Sequence, residues 1–284
     1  MPINLTATFS FNLIIDFYNM WQYAFMRQAF EAGTIIAIVA GVVGYLVVLR
    51  RLSFAAHALS HVGFSGAAGA ALFGINPLLG LLTFTMSGGI FMAFLGKKAA
   101  TRDVQIGIIL AFMLGIGILF INLYKGYATE AYSILFGEIL GISLENVIIT
   151  FYAAIIILIV FALFYRRLLF TSLDEDVAEA KGVSILTMSL IFMLLIAVAV
   201  SIAVQIVGVL LIFALLVTPP AIAQRLASSP GKAIIISVLI ALFVTWVGLF
   251  IGYYLPYPVS FLITSSVFLI YIFVRSYQKL WQNN

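Results

Sequence analysis

The chain has 284 residues, 64% hydrophobic and only 8% charged, with a net charge of +4. Soluble domains carry about 25% charged residues, so this composition excludes an aqueous globular domain and implies lipid as the solvent. Cysteine is absent, which excludes disulfides and thiolate-held zinc or iron–sulfur centres.

No cationic stretch near the N-terminus leads into a short apolar core and cleavage site, so no removable signal peptide is expected. Phe11–Phe30 mixes Tyr18, Trp21 and Tyr23 with Asp16 and Arg27. That mixture suits a helix at the membrane interface, where aromatic rings sit at headgroup depth. A spanning helix needs about 20 mostly apolar residues. Nine segments answer that description: Thr34–Leu49, His57–Phe73, Pro77–Leu95, Val104–Asn122, Val147–Tyr165, Ile185–Ala203, Gln205–Ala223, Lys232–Leu255 and Pro258–Val274. The first can begin as early as Phe25. Only Gln205 separates the sixth from the seventh, so a partial crossing is one reading of that pair. No stretch is polar enough for a separate soluble domain, and residues 1–284 read as one all-α membrane bundle of eight or nine spans.

Between the fifth and sixth segments lies a polar island, Thr171–Gly182. Ser172 followed by Glu175 is a capping-box pattern. Asp174, Glu175 and Asp176 fill the first turn, Lys181 the last, and Gly182 supplies a stop. The result is a short helix: on its own an ordinary loop helix, although Ala178, Ala180 and the surrounding charges also suit docking on another protein.

Twelve of the fourteen basic residues follow the first, third, fifth, seventh and ninth segments, leaving Arg27 and Lys125 on the opposite side. The positive-inside rule makes the crowded side cytoplasmic, with the C-terminus inside and the N-terminal segment outside. The five acids assigned outside, Asp16, Glu31, Glu130, Glu138 and Glu145, are either ordinary loop solubilisers or a mildly anionic mouth that concentrates cations.

The chain has two histidines, His57 and His61. Helical positions i and i+4 share a face, so both imidazoles can approach one ion. Ionisable groups inside a membrane are expensive and mark functional sites by default. Imidazole suits zinc, copper, iron and nickel, whereas manganese prefers carboxylate. Hydrogen bonding to a neighbouring helix is the structural alternative. Two ligands do not complete a tetrahedral shell, so the remainder must come from elsewhere in the fold, a second subunit or water.

Four stretches carry a further signal: Leu49–Phe54 leading into His57–His61, Asp103–Leu110, Leu135–Gly141, and Val207–Leu211 through Leu216–Ala221. Their order and spacing resemble the permease subunits of bacterial zinc and manganese ABC importers. The resemblance implies a type II ABC importer-like bundle in the bacterial plasma membrane. It also implies a permease homodimer, two cytoplasmic ABC ATPase subunits and an extracytoplasmic metal-binding protein docking around Lys125–Asn146. No nucleic acid is involved. Ser172, Leu173, Asp174, Glu175, Val177, Ala178, Ala180 and Gly182 then occupy the place of the coupling helix. In the family an aspartate and a histidine four residues apart line the metal path; here His61 is kept and His57 stands where the aspartate is usual. That exchange favours zinc over manganese and removes one negative charge. The expected cargo is a transported divalent metal, zinc first, with no permanently bound cofactor.

No Walker sequence occurs, so hydrolysis belongs to a separate chain, and this chain is a transport subunit with no chemistry of its own. A secondary carrier predicts more carboxylates within spans, and Glu138 is the nearest candidate. An intramembrane enzyme predicts a nucleophile in register with the histidines. The alternatives are, in order, an ion-coupled secondary transporter, an intramembrane enzyme, and an ABC permease for another substrate such as manganese, iron or a metal chelate.

Overall fold

The computed structural model describes residues 12–95, 99–124, 137 and 139–282. Lys97, Lys98, Lys125–Phe136, with Glu130, and Glu138 lie outside the described residues, and with them most of the expected docking loop and part of the Leu135–Gly141 stretch. The described residues form ten α-helices and one 3-10 turn, with no strand. The protein is an all-α membrane bundle, and all nine expected segments fall on helices.

Helix α1 covers Leu13–Trp21 and α2 covers Ala24–Leu49. The expected interfacial segment is therefore two elements, divided at Gln22–Tyr23, and the first long helix starts ten residues before Thr34. Its 26 residues rise about 39 Å, more than the ~30 Å hydrocarbon core, so Arg27 and Glu31 fit in the turns that overhang. The Arg27 guanidinium turns back to the Trp21 carbonyl at 3.2 Å. On α1, Asp16 and Met20 face the bundle while Ile14 and Tyr18 are exposed.

Helix α3 covers Ser53–Leu72, α4 Pro77–Ala93, and α5 Ala99–Leu123. Asn76 caps α4 by accepting from the Leu78 N–H at 2.9 Å, ahead of Pro77, whose missing N–H costs nothing at that position. Gly66 on α3 and Gly80 on α4 face each other so closely that a Cβ on either would strike the other's carbonyl oxygen. Small residues at such crossings let backbones approach in lipid.

The 3-10 turn spans Ile139–Gly141, and Ser143 then caps α6, Leu144–Leu173. A short α7, Glu175–Ala180, leads to α8, Ile185–Leu226, followed by α9, Pro230–Tyr254, and α10, Val259–Gln282. Helix α8 is 42 residues long and leaves helical geometry only at Gly208, at φ 80° and ψ 166°. Phe192 in its first half lies under the Arg50 guanidinium at 5.3 Å, and Gln224 in its second donates to the Tyr45 carbonyl at 3.1 Å. A straight helix would separate those residues by about 48 Å, yet both reach the last turn of α2. The run therefore folds back at Gly208 into two arms, and the break falls three residues after Gln205, where the sequence suggested it.

The two arms of α8 and helix α2 form the buried centre, while α5, α6, α9 and α10 present mostly exposed apolar surface. Among the described residues six helices are long and apolar enough to cross a membrane: α2, α5, α6, α8, α9 and α10. Of the shorter or less apolar helices, α4 is apolar but only 17 residues long, whereas α3 is shielded rather than apolar. Helix α3 packs on α4, α5 and α8 and is buried along most of its length. A helix without lipid contact can carry serines and histidines.

Candidate metal path and coupling helix

His57 and His61 sit on an unbroken stretch of α3, about 6 and 12 Å along the axis from its start at Ser53. No re-entrant break carries them deeper. Their ring centroids are 4.7 Å apart at 85°, edge to face, and the Phe213 ring on the returning arm of α8 lies 4.7 Å from that of His57. The helical register thus brings the pair together, and the fold at Gly208 brings an aromatic ring onto it. Phe213 drew no attention in sequence because a phenylalanine within an apolar run carries no chemical signal.

Both Nδ1 atoms are buried, and neither has a hydrogen-bond partner among the described residues. Resident metal sites almost always fix a histidine ligand by a hydrogen bond from its second ring nitrogen. That support is absent here among the described residues. The described residues also contain no group of three or more His, Asp or Glu side chains placed to hold a metal. Two imidazoles on one helix, without further support, can offer an ion a passing contact, one weak enough to let it leave.

Below the pair lies the turn joining α2 to α3. Arg50 donates from Nη2 to the Thr171 hydroxyl at 3.2 Å, tying that turn to the end of α6 just ahead of α7. One contiguous set of contacts therefore runs from the start of α7 through Thr171 and Arg50 to the helix that bears the histidines.

In α7 the residues expected as a coupling helix are ordered differently from the expected pattern. Ser172 is not the cap: it belongs to the last turn of α6 and donates to the Leu168 carbonyl at 2.5 Å. Asp174 takes the capping position, accepting from the Val177 N–H at 3.0 Å. Helix α6 continues to Leu173 because Ser172 finds its own i−4 carbonyl, which delays the cap by two residues. Gly182, at φ 79°, closes the helix as expected, with the Val183 N–H donating to the Ala178 carbonyl and the Gly182 N–H to the Glu179 carbonyl. Ala178 is fully buried against the bundle, while Leu173 and Val177 are exposed at 67% and 43%. Glu175 and Ala180 are exposed as well. Leu173, at the end of α6, and Val177, on α7, are the exposed apolar side chains of this segment.

Residues 22–278 match the model of the ABC 3 transport family. A manganese transport system membrane protein of Listeria monocytogenes is 32% identical over 82% of this chain and 84% of its own length. A manganese import system permease protein of Streptococcus parasanguinis is 32% identical over 94% and 97%. Among solved structures, PsaBC from Streptococcus pneumoniae in complex with Fab superposes with a TM-score of 0.82 at 29% identity, covering 92% of this chain and 94% of that one.

Proposed function

The chain belongs to the ABC 3 transport family, a permease subunit of an ABC metal importer, and from that premise we propose that its cargo is zinc and that His57 and His61 line the path. The carrying observation is the edge-to-face pair on a helix hidden from lipid, with both buried Nδ1 atoms free of hydrogen bonds to the described residues. Imidazole favours zinc among the common divalent cargoes, and a two-ligand site binds weakly enough for transit. The names of the Listeria and Streptococcus relatives favour manganese as the second reading.

The basic turns, with Arg50, Arg51, Arg166, Arg167, Arg225 and Arg275, face the cytoplasm by the positive-inside rule, and the C-terminus lies on the same side. A cytoplasmic ATPase engages α7 through Leu173, Val177 and the exposed edge of Ser172–Gly182. An extracytoplasmic metal-binding protein delivers the ion at the opposite end. Two copies of this chain form the membrane unit. ATP-driven closure pulls on α7, and the contact through Thr171 and Arg50 passes that motion to α3.

Uptake into proteoliposomes holding the chain with its ATPase and binding protein tests this reading with radiolabelled zinc and manganese. Zinc uptake should require ATP and fall at least tenfold in His57→Ala and in His61→Ala, with the ATPase still bound. Normal transport by both variants removes the histidines from the path. Uptake without any ATPase overturns the importer reading itself.

A further inference from the structure

At the basic end, the turn between α2 and α3 meets the ends of α4 and α6 and the starts of α5, α7 and α8 around a cavity of about 260 Å³. One water needs only ~10–15 Å³, so a polyatomic ligand fits. Its polar lining is Arg50, Arg51, Arg102, Glu175 and the hydroxyls of Thr171, Ser172 and Ser189. Three guanidinium groups thus face one carboxylate.

The guanidinium donors are under-used. Arg50 Nη1 and Arg102 Nε are buried without a hydrogen-bond partner among the described residues. Arg50 spends Nη2 on Thr171 and Arg102 spends Nη2 on the Arg51 carbonyl, each at 3.2 Å. Burial pulls Arg50 down to about 10, against help from Glu175, so it stays cationic at neutral pH. A buried, charged donor left unsatisfied is costly.

The backbone adds an independent observation. Helix α2 ends in a Schellman turn, the Leu52 N–H donating to the Val47 carbonyl at 2.8 Å and the Arg51 N–H to Val48 at 3.1 Å. The left-handed position of that turn normally takes glycine, as Gly182 does after α7. Here Arg51 occupies it at φ 54° and is the one non-glycine residue with positive φ among the described residues. Holding an L-residue there is costly, because its Cβ crowds the following carbonyl. The cost makes sense if the side chain is needed where it stands, on the cavity wall.

We propose that this cavity binds a phosphoryl group, presented by inorganic phosphate or by an anionic phospholipid headgroup, on Arg50, Arg51 and Arg102. Guanidinium forks match phosphate oxygens in pairs, and the ligand offsets the excess positive charge that Glu175 alone leaves. The site adjoins α7, so an occupied cavity braces the segment on which the coupling helix is hung. This reading does not depend on which metal is carried.

Full-length protein in uncharged detergent, alone and assembled with its ATPase, is titrated calorimetrically with inorganic phosphate and with short-chain phosphatidylglycerol. Saturable binding of at least one probe is expected. Arg102→Gln should weaken it at least tenfold. Glu175→Gln, an exposed change that tolerates failure of the arginine variants to fold, should tighten it severalfold. Arg275→Gln, on the exposed surface of α10, should leave it unchanged. Binding of phosphate alone assigns a soluble ligand, and displacement of phosphate by the lipid assigns a headgroup. Absence of saturable binding, indifference to Glu175→Gln, or loss of binding in the assembled complex overturns the proposal, the last because the arginines then serve the ATPase contact.

Discussion

Replacing Gly208 with alanine tests the folded-back geometry of α8 directly. Gly208 sits at φ 80° and ψ 166°, a region that is almost exclusively glycine's and costs other residues about 1–3 kcal/mol. The residue lies where Gly137 packs against the Val207–Gly208 backbone, so closely that a Cβ on Gly137 would collide with that backbone, and Gly137 itself is at φ 71°. Neither backbone can swing aside as a side-chain tip would. Gly208→Ala should therefore lower the unfolding free energy in detergent by about 1–3 kcal/mol. Gly137→Ala should cost at least as much, since it adds a clash to the left-handed penalty. The two sites touch, so their double variant should depart from additivity by about 0.5 kcal/mol or more. Gly231→Ala supplies the comparison: its added Cβ meets nothing within 4 Å in the first turn of α9, and removing backbone freedom there should stabilise slightly. Unfolding by denaturant, followed by tryptophan fluorescence, reads all four proteins. If Gly208→Ala matches wild type, α8 does not depend on a glycine-only bend and the fold-back argument fails.

The buried hydroxyls of Thr85 and Ser201 lie 2.6 Å apart between α4 and the first arm of α8; one donates to the other, whose own proton goes to a carbonyl of its helix, Leu81 for Thr85 or Ala197 for Ser201. A double-mutant cycle to alanine should give a coupling of only ~0.6 kcal/mol, the usual scale for such bonds in lipid. Gly66→Ala should destabilise by about 1–3 kcal/mol through overpacking against Gly80, whereas Gly115→Ala, with open space beside it, should be near neutral in the same unfolding assay. Asp174→Ala should cost about 1 kcal/mol by uncapping α7 and reduce transport-coupled ATP hydrolysis, with Asp174→Asn restoring most of it. Val177→Lys should abolish co-purification of the ATPase without changing the melting temperature. His57→Asp should raise the ratio of manganese to zinc uptake, because a hard carboxylate replaces imidazole.

Span positions were legible because lipid leaves only one economical answer for an apolar run, a helix with every backbone group satisfied. The histidine pair was legible for a similar reason: four residues of spacing fix a shared face whatever the surroundings. Three features were not. Sequence leaves the early start of α2, at Ala24, open between Phe25 and Thr34, because Arg27 and Glu31 lie in turns that overhang the hydrocarbon and hydropathy alone truncates it. The cap of α7 moved from Ser172 to Asp174 because a serine can bond its own preceding turn, a choice that local sequence leaves open. Phe213 reached His57 only through the bend at Gly208, a contact between residues 156 positions apart. Helix α3 was legible as a span, but its shielding was not, since glycines, alanines and serines in sequence do not say which helices will cover them.

The bend at Gly208 also bears on how the protein enters the membrane. Its two arms are joined without a polar loop, so no hydrophilic segment has to be drawn across the bilayer between them. A ribosome delivering Ile185–Leu226 presents 42 residues with no charge before Arg225 in the last turn, so neither arm has a charged flank at the apex to fix its direction. Orientation must come from the outer ends of the pair, Lys181 before it and Arg225 after it, both held back on the same side. The two arms then insert together as a single unit, and a charge introduced beside Gly208 should disturb biogenesis before it disturbs transport.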